Sequence, residues 1–284
     1  MENKKILKFG LIGNGKWGNN YKKTSKNLNF CKVFDITKDV KSKYKINKLY
    51  EIIYHFNKKF DGFIIATPPK IQSKILIEVL KVNSPVIVEK PISLNIKDFK
   101  QILKFKSKNQ IIFVNHYHLF CNRFKTFHEK FENNSIKKLK IYDGNWGPFR
   151  SNVSPIYDWA PHSLGIMFKL INSKIENVYF SKENIAKNKN IEILNLKLYV
   201  KFSSGQRVFI KTGNGFKKRK SQISVHLNDK KRYFFVNEKQ SFDAFSPLEK
   251  LMNEFAISIR RNKITYNTSF NIAKLSNDFL LKNF

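Results

Sequence analysis

Cysteine, arginine and acidic side chains are scarce in this 284-residue chain. The two cysteines, Cys31 and Cys121, both fall in apolar stretches, which argues against a disulfide framework and for a reducing compartment. No apolar run approaches the roughly 18 residues a membrane helix needs. The start, Met1-Glu2-Asn3-Lys4-Lys5, passes straight into a strand pattern with no signal-peptide core. A soluble, cytoplasmic protein is expected. With 21 Asp and Glu against 54 Lys and Arg, the net charge is +33. Such a charge first suggests a nucleic acid or an anionic membrane. Arginine, the residue of bidentate contacts to bases and phosphates, occurs only seven times, and the lysines are spread over the whole length. There is no basic tail and no nucleic-acid module. The charge reads as a lysine-rich background over an ordinary fold, able to steer anionic ligands. The densest cluster, Lys217-Lys218-Arg219-Lys220, reads as a solvated strand end.

What is present is core material: 42% hydrophobic residues, including 27 Phe, which excludes wholesale disorder. Strand-like and helix-like stretches alternate over the first 118 residues. The strands fall at about 6–12, 30–36, 63–66, 85–88 and 110–115. Between them, Ile71, Ile75, Leu76, Val79 and Leu80 share one helical face. This alternation with short links predicts an α/β unit with a doubly wound parallel sheet. After residue 118 the texture changes. A strand is expected at 137–143, an amphipathic helix at 159–171, then consecutive strands over 175–236, with a hairpin at Ser203-Ser204-Gly205 and a turn at Asn228–Lys231. Helices at 247–259 and 269–281 close the chain. The second unit, 119–284, is thus expected to be α+β with a mostly antiparallel sheet.

Gly13-Asn14-Gly15-Lys16-Trp17-Gly18 follows the first strand and opens a helix. In that context G-x-G-x-x-G holds a dinucleotide: the first Gly permits the tight turn, the second lets backbone approach a pyrophosphate, and the third brings helix and strand close. The alternative is a tight turn that holds no ligand. Asp35, 17 residues beyond Gly18, ends the second strand near the spacing at which an acid accepts from a ribose hydroxyl. That favours NAD over NADP, although Thr37 and Lys38 follow closely and NADP stays admitted. The alternative is a solvated strand-end aspartate.

Ala66-Thr67-Pro68-Pro69 follows the third strand, and Val86-Ile87-Val88-Glu89-Lys90-Pro91 ends the next. With the glycine turn and Asp158-Trp159-Ala160-Pro161-His162, the chain resembles the Gfo/Idh/MocA oxidoreductases, relatives of glucose–fructose oxidoreductase and inositol dehydrogenase. The resemblance runs over essentially the whole chain. It implies an N-terminal Rossmann domain (1–118) for NAD(P) and a C-terminal domain (119–284) for substrate and oligomer contacts. It implies a dehydrogenase acting on a secondary alcohol of a sugar, cyclitol or nucleotide sugar, and a homo-oligomer joined through the outer sheet face. It also implies that Lys90, Asp158 and His162 form the catalytic set, while Glu89 and the turn Ala66, Thr67, Pro68 line the cofactor site. Two positions depart from the family: Gln72 stands where a His is common, and Ser163 where an Asp often follows the catalytic His.

The chemistry of these residue types agrees. An imidazole titrating near 6.5 suits proton transfer at neutrality. Asp158, four residues before His162, shares its face on a helix and would orient it. Lys90, at the carboxyl end of a parallel strand, would stabilise a developing alkoxide. Each has an alternative: Asp158 as an N-cap with Pro161 in the first turn, His162 as packing, Lys90 as one lysine of many. Within Asn115-His116-Tyr117-His118 the two imidazoles would share one side of a strand, but no further ligands complete a metal set, and no metal is expected. Trp146, Gly147, Phe149 and Arg150 are candidates for a substrate pocket, Arg150 as a binder of phosphate or carboxylate. A non-catalytic dinucleotide-binding regulator on the same fold is the alternative to an enzyme.

Overall fold

The computed structural model describes residues 5–38, 49–132, 135–187, 191–236, 246–263 and 268–284. The chain divides into two compact units, Met1–His116 with Phe245–Phe284, and Tyr117–Ala244.

In the first unit five strands, β1 (Leu7–Ile12), β2 (Cys31–Asp35), β3 (Gly62–Ile65), β4 (Val86–Val88) and β5 (Ile112–Val114), form an all-parallel sheet in the order β2-β1-β3-β4-β5. Helices α1 (Lys16–Lys26), α2 (Leu49–Asn57), α3 (Pro69–Lys81) and α4 (Ile96–Phe105) lie between them in sequence. The runs Phe63-Ile64-Ile65, Val86-Ile87-Val88 and Ile112-Phe113-Val114 are buried throughout, as expected of parallel strands covered on both faces, the edge strand β5 included. Pro69 starts α3, where a missing N–H costs nothing, and the Asn95 side chain caps α4 by accepting from the Asp98 N–H at 2.8 Å. Ile75, Leu76, Val79 and Leu80 of α3 are buried in this unit's core. The strand order reverses at β1, so the loops after β1 and β3 stand at the switch point where such sheets bind ligands.

The second unit opens with a 3-10 turn (Tyr117–Phe120) and α5 (Asn122–His128), followed by β6 (Ile136–Trp146) and α6 (Pro155–Leu170). Then come β7 (Ile175–Lys187), β8 (Glu192–Phe202), β9 (Arg207–Gly213), β10 (Gly215–Leu227) and β11 (Arg232–Val236). The sheet runs β11-β10-β6-β9-β8-β7 and is antiparallel except where β6 and β9 pair in parallel. Alternation fixes its faces. Leu194, Leu196, Leu198, Val200 and Phe202 of β8 are buried on the side that carries α6, and Tyr199 and Lys201 face away. Gly205 takes a positive φ of 87° in the expected hairpin, and Lys230 one of 69° in the turn before β11. The Lys217–Lys220 cluster lies within β10, at an irregularity in its pairing with β6, and is exposed.

The closing helices, α7 (Pro247–Arg260) and α8 (Thr268–Asn283), belong to the first unit, whereas the expected division after residue 118 assigned them to the second. The reason is apolar. The Phe255 ring packs between Phe9 of β1 at 5.2 Å and Phe113 of β5 at 5.6 Å. Phe270 and Ala273 of α8 enter the same unit's core. Ser269 Oγ accepts from the Val114 N–H at 3.3 Å.

Candidate functional site

In the first unit the glycine turn and the Ala66–Pro68 turn meet. Gly13, at φ 114°, lies so close to Ala66 that a Cβ there would stand 2.4 Å from its carbonyl. Its N–H donates to the buried Thr37 Oγ1 at 2.9 Å. A Cβ on Gly18 would stand 1.8 Å from the Gly13 carbonyl oxygen, so this glycine permits helix-to-strand contact. At Gly15 a Cβ would meet nothing within 4 Å. Gly15 is also the N-cap of α1, no side chain caps that end, and no acid stands in its first turn, where Lys16 and Trp17 lie. Open space thus faces uncapped N–H groups and the positive end of a helix dipole, which suits an anion. The Thr67 hydroxyl oxygen, in the turn against Gly13, is buried with no hydrogen-bond partner, as a donor awaiting a ligand would be.

Asp35 accepts from the Thr37 N–H at 3.0 Å and stands 3.4 Å from Lys22 Nζ. Burial works against its ionisation, but the Thr37 hydrogen bonds and Lys22 outweigh it and hold the carboxyl below its usual range. Lys22 also donates to Asn14 Oδ1 at 2.6 Å, tying the glycine turn to the end of β2.

The segment after β4 is held by residues that no motif marks. The buried Glu89 carboxylate accepts from the Tyr21 hydroxyl at 2.9 Å and from Asn115 Nδ2 at 2.8 Å. Burial, and then the Glu89 charge, push the Tyr21 phenol well above its ordinary value, so it remains a donor. Gln72 Nε2 donates to the carbonyls of Glu89 and Pro91, each at 2.6 Å, across the cis Lys90–Pro91 bond. Gln72, one of the two residues that depart from the family pattern, thus bonds both sides of the turn carrying Lys90. Asn115, directly after the apolar run Ile111–Val114, was the available signal, whereas Tyr21 and Gln72 stand among polar neighbours in the sequence.

In the second unit α6 begins at Pro155, with Ser154 as N-cap, four residues earlier than expected. Asp158 is thus an interior residue and not the N-cap, and Pro161 lies in the second turn, where its missing N–H forfeits one helical hydrogen bond. Asp158 and His162 remain four apart on one helix and share a face. Arg150, expected to meet a phosphate or carboxylate of a ligand, stands within the protein with its Nε 3.2 Å from Asp158 Oδ2. Trp146 and Phe149 meet edge to face at 5.4 Å, both exposed. The His118 and His162 rings lie 6.3 Å apart. Burial, and then the Arg219 charge, lower the His118 imidazole to about 4, so at neutral pH it does not repel a cationic His162. The strand expected to align His116 with His118 ends at Val114, and Tyr117–Phe120 turns as a 3-10 helix, so their same-side geometry is not formed. Among the described residues no three His, Cys, Asp or Glu side chains group as a metal site, and no helix is long and apolar enough to cross a membrane.

Residues 7–116 match the family model described as "Oxidoreductase family, NAD-binding Rossmann fold". Over 191 residues the chain is 24% identical to myo-inositol 2-dehydrogenase of Thermotoga maritima, covering 61% of this chain and 57% of that protein. A similar fold is seen in myo-inositol dehydrogenase from Lactobacillus casei, solved with NAD(H) and myo-inositol (TM-score 0.77, 12% identity, 96% of this chain and 92% of that one). It is seen again in UDP-N-acetylglucosamine 3-dehydrogenase from Acidithiobacillus ferrooxidans (TM-score 0.74, 11% identity, 97% and 96%).

Proposed function

Since residues 7–116 belong to the Gfo/Idh/MocA oxidoreductases, with their NAD-binding Rossmann fold, we propose that this chain is an NAD(P)-dependent dehydrogenase acting on a secondary alcohol of a sugar, cyclitol or nucleotide sugar. The observation that carries the reading is the meeting of the Gly13 and Ala66–Thr67 turns at the sheet's switch point. There the open space at Gly15 and the unpartnered Thr67 hydroxyl fit a dinucleotide. The α1 N-terminus would hold its pyrophosphate, Asp35 the adenosine ribose in preference to a 2′-phosphate, and Thr67 a further polar group. When bound, the nicotinamide takes up or gives back the hydride.

The chain's own residues would do the rest. His162 would take the proton of the substrate hydroxyl on its imidazole and return it in the reverse direction. Asp158 would orient that ring from one turn away and steady its cation, with Arg150 anchoring the Asp158 carboxylate. Lys90, set by the Gln72 hydrogen bonds to the carbonyls of Glu89 and Pro91, would donate to the reacting oxygen and stabilise alkoxide character. Homo-oligomerisation through the open face of the second sheet is part of the same proposal. Phe234, Phe209, Tyr199 and Tyr179 fall in one cross-strand row on that face.

The test is NADH and NADPH binding, followed by nicotinamide fluorescence. A carboxylate at Gly15 meets no protein atom, so Gly15→Asp should fold normally and lose NADH binding by about 100-fold or more through charge and occupied space. Lys90→Ala should still bind NADH and fail in turnover with cyclitol and sugar-nucleotide substrates. Wild-type protein that is free of carried-over cofactor and binds neither nucleotide would sink the reading.

A further inference from the structure

A row of basic side chains crosses the open face of the second sheet near one end. Arg232 of β11 pairs with His226 of β10, His226 with Lys138 of β6, and Lys138 with Arg207 of β9. Directly paired residues project from the same face, about 4.8 Å apart from strand to strand. The next member of the row, Lys201, is neutralised by Glu176 at 2.8 Å. Lys138, Arg207 and Arg232 have no carboxylate within ion-pair distance among the described residues, and Asp229 close by is taken by Lys231 at 2.9 Å. Like charges placed directly opposite destabilise a sheet. This sheet carries such a pair in Lys138 and Arg207, with Arg232 two strands from Lys138 beyond His226.

The row opens into a concavity of about 660 Å³, lined by Lys137, Lys138, Arg207, Lys230 and Arg232 together with His226. That volume is of small-ligand size. Its only apolar side chain is Leu227, and no Phe, Tyr or Trp lines it. Without a Phe, Tyr or Trp platform a nucleobase would find only the His226 imidazole and the arginine planes, so the lining favours phosphate contacts over base stacking. Two planar guanidinium forks and three ammonium groups instead match clustered phosphate oxygens. Burial, and then the charges of Arg232, Lys140 and Lys138, lower the His226 imidazole. We propose that this concavity binds a compact anion carrying two or more phosphate groups. The site lies wholly within the second unit, two positions along each strand from the aromatic row proposed for self-association, and does not depend on the dehydrogenase reading.

Inorganic triphosphate, titrated calorimetrically into the full chain at about 0.15 M salt, is the probe; screening there is effective beyond about 8 Å, so diffuse attraction is weak. One saturable site is expected, with monophosphate weaker by about 10-fold or more. The double variant Arg207→Gln/Arg232→Gln should weaken triphosphate by about 20-fold, whereas Lys217→Gln/Lys218→Gln, which removes equal charge from exposed β10 positions, should change it less than about two-fold. In the wild type, saturation should raise the His226 titration midpoint followed by NMR, because the bound anion offsets its cationic neighbours; this readout stands if a variant fails to fold. No saturable binding, equal loss in both double variants, or an unmoved His226 would overturn the proposal. So would duplex DNA binding lost only in Arg207→Gln/Arg232→Gln while triphosphate fails to saturate.

Discussion

Burial and the Arg219 charge keep His118 neutral down to about pH 4, whereas in an unfolded chain it would protonate near 6.5. Between those values the unfolded state binds the extra proton. His118 therefore contributes stability that is fully present above about pH 6.5 and is lost as pH falls towards 4, on the order of 3 kcal/mol in all. Thermal melts across that window should show Tm falling with pH, and His118→Phe should flatten that part of the profile; parallel profiles would refute the assignment. Other single residues divide by how much of their role is local. Gly13, Gly15 and Gly18 were legible because each spacing has a backbone reason. Asp35 was legible as a strand-end acid, but its pairing with Lys22 was not, since that depends on how α1 lies beside β2. Tyr21, Gln72 and Asn115 could not be assigned to Glu89 and Pro91 without the fold, because their partners lie 17 to 68 positions away in the chain.

Among the elements, α1 ties the first unit's packing to its ligand site. Gly18 faces the Gly13 carbonyl and Gly15 faces open space, so alanine should separate the two roles. Gly18→Ala should lower Tm by about 5 °C or more through overpacking, while Gly15→Ala should leave it nearly unchanged. Equal effects in a melting assay would contradict the geometry. The start of α6 shows where local signals compete. Ser154-Pro155 is itself a start signal of the N-cap and N1 kind, but Pro161 draws the predicted start towards it because interior prolines are costly. The protein accepts that cost beside His162, one turn from Asp158. Strands were easier to place: β3, β4 and β5 are continuous apolar runs, and β8 alternates cleanly.

For the molecule as a whole, the net charge of +33 and the aromatic row on the open sheet face pull in opposite directions. Tyr199 and Phe209 already touch at 4.9 Å, and Tyr179 and Phe234 are left largely exposed. If copies associate through this face, repulsion between protomers should make the equilibrium salt-dependent. Sedimentation should show tighter self-association at about 0.5 M salt than at about 0.05 M. A monomer at every ionic strength would remove the oligomer from the proposal. The parallel sheet, the mostly antiparallel sheet and their order along the chain were all readable from periodicity. The return of the last two helices to the first unit was not, because an amphipathic helix does not announce which apolar surface it covers.

That return has a consequence for how the protein is made. β1 is translated before the whole of the second unit, yet Phe255, which packs on both Phe9 and Phe113, is translated after it. At about 5–20 residues per second, the nucleotide-binding sheet waits on the order of ten seconds between the synthesis of β5 and that of α7. The second unit, by contrast, is complete before α7 is translated. The half of the protein that is begun first is thus finished last, and a premature stop before Phe255 would disable the N-terminal unit while leaving the sequence of the inserted one whole.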